Sequence, residues 1–407
     1  MGLTGSGIYF YYIVKNLLKN GDKVYYISST STKHIESLRK DKNFKLIFIP
    51  LRKRIRFLQI GKFLFGFGIR DIIKKLIEDK KIDIIHINES FNPYYFLIQK
   101  IINKSNKRIR LVITAHGCTN LESKLIGDCP TINFFEKVAH KIYYPPLNFT
   151  EKLNLGTAQN IIAVTNGVLN NLLKIRKKFW KKKDGNINYK FIPNGIDINI
   201  FNIRAPDNQY LEKYKISEKD FVIVFTGGLV TRKNPEILIE IVYLLNKIKN
   251  LERTFKLIFV GGGRLENKLR SLIKRYKLEN KVILEGYTKF ENIPRILSIA
   301  NLMIYSSIYE TPGLSMLEAM AMKIPVIGAN QPDINEVIID ETNGFLFDLK
   351  KSPHSTIIRK IKFILKNPEK IEEIVDNAYN NIKNNYNVLK TTEKVRKYYL
   401  NLISKLN

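Results

Sequence analysis

The sequence predicts an α/β protein of two doubly wound, Rossmann-like domains, and three observations carry that prediction. Short apolar runs alternate with helical stretches through most of the chain, the pattern of parallel sheets wrapped by helices. The alternation falls into two series, parted by a polar stretch at residues 199–218. With 407 residues, 44% of them hydrophobic, the chain can bury two substantial cores.

Taken in order, the first series places strands at 24–28, 46–49, 82–87, 111–115, 161–164 and 189–193, each a short run rich in Ile, Val, Leu or aromatic residues. Helices fill most of the intervals. The second series places strands at 221–226, 256–260, 282–284, 302–305, 326–328 and 345–347. After Asp348 the pattern is entirely helical. The expected domains are therefore 1–200 and 201–385, with a terminal helical segment at 386–407. One irregularity stands at the start. Gly2-Leu-Thr-Gly5-Ser6-Gly7 reads as a glycine loop entering a helix at 8–18, which lets backbone approach a ligand closely, yet no strand precedes it. The expectation is a truncated start and a first sheet lacking a central strand.

The formal net charge of +31 is uneven. Residues 1–200 carry 35 Lys and Arg against 14 Asp and Glu, the remainder 33 against 23. Such a field attracts anions, with nucleotides, anionic lipids and nucleic acids as the classes to weigh. No helix-turn-helix, zinc or RNA-binding signature is visible, which counts against nucleic acid. Cys118 and Cys129 have neither zinc nor redox spacing. No apolar run reaches membrane-spanning length and the first residues are not a signal peptide, so the expected location is cytoplasmic.

The chemistry concentrates at Glu310-Thr-Pro-Gly313-Leu314-Ser315-Met-Leu-Glu318, two carboxylates around a glycine turn just after an apolar strand. A helix starting at Leu314 points its first amides at that turn, a setting that attracts phosphate. An acidic side chain one turn in suits sugar hydroxyls beside the phosphates. Ser315-Met-Leu-Glu318 also fits a capping box that merely starts a helix. In the first half, His86 and His116 each end a strand, where an open sheet faces its ligand crevice. His86 is read as structural. Phe225-Thr-Gly227-Gly228-Leu-Val-Thr-Arg232-Lys233 offers glycines and cations for a diphosphate. Val260-Gly261-Gly262-Gly263-Arg264 invites a dinucleotide-fold reading, but the third glycine position is Glu266.

Glu310, Gly313, Leu314 and Glu318, followed by Ala-Met-Ala and Pro325-Val-Ile, resemble the E-x7-E signature of the family 4 retaining glycosyltransferases (glycosyl transferases group 1), which have the GT-B fold. The resemblance spans nearly the whole chain: His116-Gly117 matches the family's first-domain histidine, and Ile192-Pro-Asn194-Gly195-Ile-Asp197 its I-P-N-G-x-D segment. It implies two domains facing across a crevice, with the terminal helix packing on the first. It further implies sugar transfer from a nucleoside-diphosphate-sugar to a hydroxyl of a glycan, lipid-linked or small-molecule acceptor, with retention. The catalytic candidates are His116, Glu310 and Lys233. The donor-binding candidates are Gly5, Ser6, Gly7, Arg232, Lys233, Gly313, Leu314, Ser315 and Glu318. No cofactor beyond the co-substrate is expected, and no D-x-D pair lies near these motifs, so metal independence is expected. Two departures stand out: Gly228 replaces the family's usual Arg, and Lys323 the usual Gly at a helix end.

Two basic-aromatic segments bear on partners. Leu51-Arg-Lys-Arg-Ile-Arg-Phe-Leu leading into Phe63-Leu-Phe, and Lys174-Ile-Arg-Lys-Lys-Phe179-Trp180-Lys-Lys-Lys183, mix cations with rings in a manner suited to an anionic membrane surface or to a solvated helix face. Two other functions stay open: a sugar-nucleotide epimerase of the same fold class, and an inactive basic relative that binds membrane or nucleic acid.

Overall fold

The computed structural model describes residues 5–28, 33–49, 59–129, 132, 134–180, 187–249 and 251–405. The first-half strands are β1 (Val24–Ser28), β2 (Phe44–Phe48), β3 (Ile84–Asn88), β4 (Arg110–Ala115), β5 (Asn160–Ala163) and β6 (Asn188–Phe191). The second-half strands are β7 (Asp220–Thr226), β8 (Thr254–Val260), β9 (Val282–Gly286), β10 (Leu302–Tyr305), β11 (Val326–Ala329) and β12 (Phe345–Phe347). Each lies within two residues of its expected bounds. The segment 51–58 falls outside the described residues, as do 181–183.

Helices alternate with these strands. In the first half they are α1 (Gly5–Lys19), α2 (Lys33–Ser37), α3 (Gln59–Asp79), α4 (Tyr95–Lys104), α5 (Thr119–Asp128), α6 (Phe134–Thr157) and α7 (Asn166–Trp180). In the second they are α8 (Asn208–Lys213), α9 (Glu236–Leu245), α10 (Glu266–Arg275), α11 (Ile293–Leu297), α12 (Leu314–Ala321), α13 (Pro353–Lys366), α14 (Pro368–Asn385) and α15 (Val388–Ser404).

The second six strands form one parallel sheet in the order β12-β11-β10-β7-β8-β9. Its strands read as mostly apolar runs, broken inside β8 by Lys256, because helices cover both faces, and Phe225, Phe255, Phe259 and Ile304 are almost wholly buried. The direction of winding reverses between β7 and β10. Ligands bind beyond the carboxyl ends of the strands at such a switch point. The glycine segment after β7 and the Glu310 segment after β10 both emerge there.

The first-half strands divide into a four-stranded sheet, β3-β4-β5-β6, and a separate pair, β1-β2. Among the described residues no strand joins β1 to β3. Between them lies a cleft of about 630 Å³, lined by Tyr25 and Ile27 of β1, Ile85 of β3, Ile13 and Val14 of α1 and Ile73 of α3. Helix α1 spans the division. Its Tyr9 and Ile13 share a core with Val112, Ile162, Val395 and Tyr399, while its Val14 and Leu18 pack with Ile35 and Phe44.

The last helix, α15, therefore lies on first-half elements, and Arg396 Nε pairs with Asp22 at 2.8 Å. Ile196 and Val388 exchange main-chain hydrogen bonds with this segment: Ile196 N donates to Tyr386 O, and Val388 N to Ile196 O, both at 2.9 Å. A Cβ on Gly195 would sit 2.6 Å from Val388 Cα, so the Asn-Gly dipeptide serves a close backbone crossing as well as a turn. Lys323 adopts the left-handed conformation (φ 55°) that ordinarily favours Gly at a helix end.

Candidate active site

The site is built from main-chain ties at the switch point. Ser306, just past β10, donates to the carbonyls of Lys233 (2.8 Å) and Asn234 (2.9 Å), which fixes the turn after β7 to the end of β10. That turn closes with Asn234 in the left-handed region (φ 48°). Gly227 (φ 139°) lies under the Lys233 side chain, and a Cβ there would meet Nζ at 3.1 Å. Gly261 and Gly263 also serve close packing: added Cβ atoms would sit 2.1 Å from Gly227 O and 2.3 Å from Leu229 O. These glycines let the loops after β7 and β8 lie against each other, and that contact explains them without a dinucleotide.

Two cations converge on one carboxylate. Lys233 Nζ lies 3.0 Å and Arg232 Nη1 2.6 Å from Glu310 Oε2. Burial alone would raise the Glu310 pKa, but the two cations more than offset it and hold the carboxyl below its ordinary range. Burial lowers the Lys233 ammonium despite Glu310, whereas Glu310 raises the Arg232 guanidinium. The result is a dense charge cluster with net positive sign at the switch point, a setting that attracts an anion. Tyr287, just past β9, is 80% exposed and its hydroxyl donates to Gly262 O at 3.2 Å, in the loop after β8.

Beyond Glu310 the chain turns at Gly313, the N-cap of α12. A Cβ on Gly313 would sit 1.7 Å from the Tyr305 hydroxyl, so no side chain fits without displacement. Leu314 and Ser315 form the first turn, whose amides have no acceptor within the helix itself. Ser315 is inside the helix and Gly313 makes no side-chain cap, so the capping-box reading of Ser315 and Glu318 does not hold. Glu318 is instead buried, and burial, only partly countered by Lys233, pushes its pKa up to about 8.

The first half meets this cluster directly. Cys118 N donates to Tyr309 Oη at 2.7 Å, and Thr311 Oγ1 donates to His116 O. The residues flanking His116 thus clasp those flanking Glu310. The His116 ring stands edge-on to Tyr9, with centroids 4.8 Å apart. Its Nε2 is buried with no hydrogen-bond partner among the described residues, the kind of atom that a ligand satisfies. Burial lowers its pKa to about 3, so the imidazole is neutral. His86 differs: its ring nitrogens contact Tyr399 Oη and, at 2.6 Å, Thr114 Oγ1, which fits a structural part.

Gly5, Ser6 and Gly7 are placed differently from the expected loop. They form the first turn of α1, because the apolar periodicity beginning at Ile8 draws the preceding residues into the helix. Gly2 to Thr4 lie outside the described residues. This turn stands one helical step from Tyr9, the residue against His116. At Gly228 an added Cβ would have no neighbour closer than 3.9 Å, so the lost Arg of the resemblance is not excluded by space.

Sequence reasoning missed three residues here. Tyr309 supplies the hydroxyl that holds the His116 loop. Glu151, wholly buried on α6, accepts from Thr119 N (3.1 Å), Thr119 Oγ1 (2.8 Å) and Ser90 Oγ (2.6 Å), and so fixes the start of α5 just after that loop. Glu122 of α5 lies close enough to feel Arg232 and Glu310, and burial raises its pKa. Only the adjacency of Tyr309 to Glu310 left any mark in the sequence. The other two act across long stretches of chain.

Residues 3–200 match the family described as Glycosyltransferase Family 4, and residues 207–381 the one described as Glycosyl transferases group 1. The chain belongs to the family 4, group 1 glycosyltransferases. Among the relatives of this glycosyltransferase, the N-acetyl-alpha-D-glucosaminyl L-malate synthase of Bacillus anthracis is 22% identical over 85% of this chain and 81% of its own. The UDP-Gal:alpha-D-GlcNAc-diphosphoundecaprenol alpha-1,3-galactosyltransferase of Escherichia coli is 27% identical over 52% of this chain and 54% of its own. The crystal structure of Anabaena HepE in complex with UDP superposes with a TM-score of 0.70 at 16% identity, covering 98% of this chain and 96% of that one. The glycosyltransferase therefore has the GT-B fold, with the Glu310 cluster in its second half and His116 in its first.

Proposed function

We propose that this glycosyltransferase moves a sugar, with retention of anomeric configuration and without a metal ion, from a UDP-sugar to a hydroxyl of a lipid-linked or glycan acceptor at a cytoplasmic membrane face. The observation that carries the reading is the convergence of Lys233 and Arg232 on Glu310 at the start of α12. Breaking the bond between sugar and diphosphate leaves an oxocarbenium-like sugar and a diphosphate that gains negative charge. Donors already fixed at the phosphates help such a transition state most. Lys233, Arg232 and the amides of Gly313, Leu314 and Ser315 take that task. Glu318 accepts from the ribose hydroxyls and Glu310 from the sugar hydroxyls, while His116 Nε2 faces the sugar from the other half. The turn at Gly5, Ser6 and Gly7 borders the donor from the start of α1. Retention follows when the acceptor attacks on the face that the diphosphate leaves. With two cations at the phosphates, no resident ion is required for charge neutralisation. The UDP of HepE and the diphosphoundecaprenol-linked acceptor of the E. coli relative support the donor and acceptor classes.

The test is incubation with UDP-, GDP- and ADP-sugars, with and without a chelator, measuring nucleoside diphosphate release and binding against Glu318→Ala. Release from a UDP-sugar that survives the chelator and is lost in the variant is expected. Equal affinity in the variant would remove Glu318 from the donor site. Epimer formation with no acceptor would favour the epimerase.

A further inference from the structure

Helix α6 carries apolar residues on both of its sides. Tyr144, Leu147, Glu151 and Leu155 face the core and are buried. Phe134, Val138, Ile142, Phe149 and Leu153 recur at intervals of four and seven, so they share the opposite side, where Ile142 is 74% and Phe149 63% exposed. A contiguous exposed stripe of this kind marks an interaction surface, unlike apolar residues scattered singly.

Cations accompany the stripe. Lys137 and Lys141 follow one margin of α6, and Lys152 sits with its ammonium 4.0 Å from the centroid of the exposed Phe179 ring on α7. That contact joins the stripe to Lys174, Lys177 and Lys178 of α7. Against these lysines the two helices have only Glu136 and Glu151 in sequence, and Glu151 is buried.

We propose that this face lies on an anionic lipid surface, with Ile142 and Phe149 entering the headgroup and acyl boundary and the lysines at the phosphates. The proposal rests on the lipid-linked-acceptor reading above and gives that reading its docking surface. The charge pattern selects the occupant. A second copy of the chain, paired by a two-fold axis, would set a lysine margin near its own image. A nucleic acid would satisfy the lysines but leave the apolar stripe in water. An anionic bilayer offers negative charge above an apolar layer, matching both features.

The experiment is flotation of the full chain with phosphatidylglycerol/phosphatidylcholine vesicles and with phosphatidylcholine vesicles alone, at low and high salt. The unaltered chain should bind the anionic vesicles and release them as salt rises. Ile142→Asn with Phe149→Asn should reduce binding about tenfold or more, while UDP affinity and melting temperature stay unchanged. If that variant folds poorly, Lys137→Gln with Lys141→Gln, at a half-buried and an exposed position, should weaken anionic binding while leaving the melt intact. Three results would overturn the proposal: no binding by the unaltered chain, equal binding by both variants, or dimers in sedimentation that depend on the stripe. A chain that binds vesicles but no nucleotide sugar would instead overturn the transferase reading and leave this surface standing.

Discussion

Glu318 illustrates how much a single residue's setting decides. Buried, with no cation in direct contact among the described residues, it has a pKa of about 8 and holds its proton at neutral pH in the free protein. In the proposed role ribose hydroxyls donate to the ionised form, so nucleotide binding should release close to one proton at pH 7, measurable by calorimetry in buffers of differing ionisation enthalpy and abolished in Glu318→Gln. Because the folded pKa lies above the ordinary 4.5, the stability Glu318 contributes is full below that value and is lost as pH rises through about 8. A ligand-free melt that falls over this window, and flattens in Glu318→Gln, checks the sign. At Gly228 the space for a side chain permits Gly228→Arg. A charged hydrogen bond to phosphate is worth about 1.5–3 kcal/mol, so UDP affinity should rise about tenfold or more. Unchanged affinity would mean that Arg232 and Lys233 already suffice. The E-x7-E pair, Lys233 and His116 were legible in the sequence because each belongs to a short local motif. Glu122 and Glu151 were not, since their partners lie far along the chain and no spacing records them.

Among the elements, α12 depends most on one position. Gly313→Ala would drive a methyl into the Tyr305 hydroxyl, a form of overpacking that costs about 1–3 kcal/mol, and should also displace the amides offered to phosphate. A lowered melt together with weakened UDP binding is expected, and an unaffected melt would mean that Tyr305 moves aside freely. Strands were the elements most readable from sequence. Their short β-branched and aromatic runs between polar turns admit few other structures, and each was found within two residues. The start of α1 was less readable because Gly5-Ser6-Gly7 has turn composition, and only the helical context beyond Ile8 decides its conformation. Whether Ser315 capped a helix or sat inside it was equally hidden, since the choice turns on where α12 begins.

For the whole molecule, the two halves are held by contacts that bracket the chemistry. Tyr309 Oη accepts from Cys118 N and Thr311 donates to His116 O, while Thr165 donates to Asp333 at 2.5 Å and Glu336 accepts from the amide of Asn166 at 2.9 Å. Tyr309→Phe keeps the ring and removes the hydroxyl, at a cost of about 1 kcal/mol. The expected result is a turnover reduced roughly fivefold with UDP affinity retained, since most of the contacts proposed for the nucleotide lie in the second half. A fall in affinity with turnover preserved would place Tyr309 in donor binding instead. These contacts could not be read from sequence, because hydroxyls and main-chain amides carry no pairing code over such separations.

The cleft between β1 and β3 bears on local stability. In parallel ladders alternate residues turn their main-chain groups to opposite sides, so Tyr25, Ile27, Ile84 and His86 point theirs toward the cleft and not toward β2 or β4. Among the described residues the β1-β2 pair is thus attached to the rest through helices, above all α1, with no continuous ladder. Such a unit opens at a lower free energy than the sheet behind it. Amide hydrogen exchange should accordingly run faster along β1 and β2 than along β4 and β5, with the slow amides of Val112 and Ile162 marking the part that unfolds last.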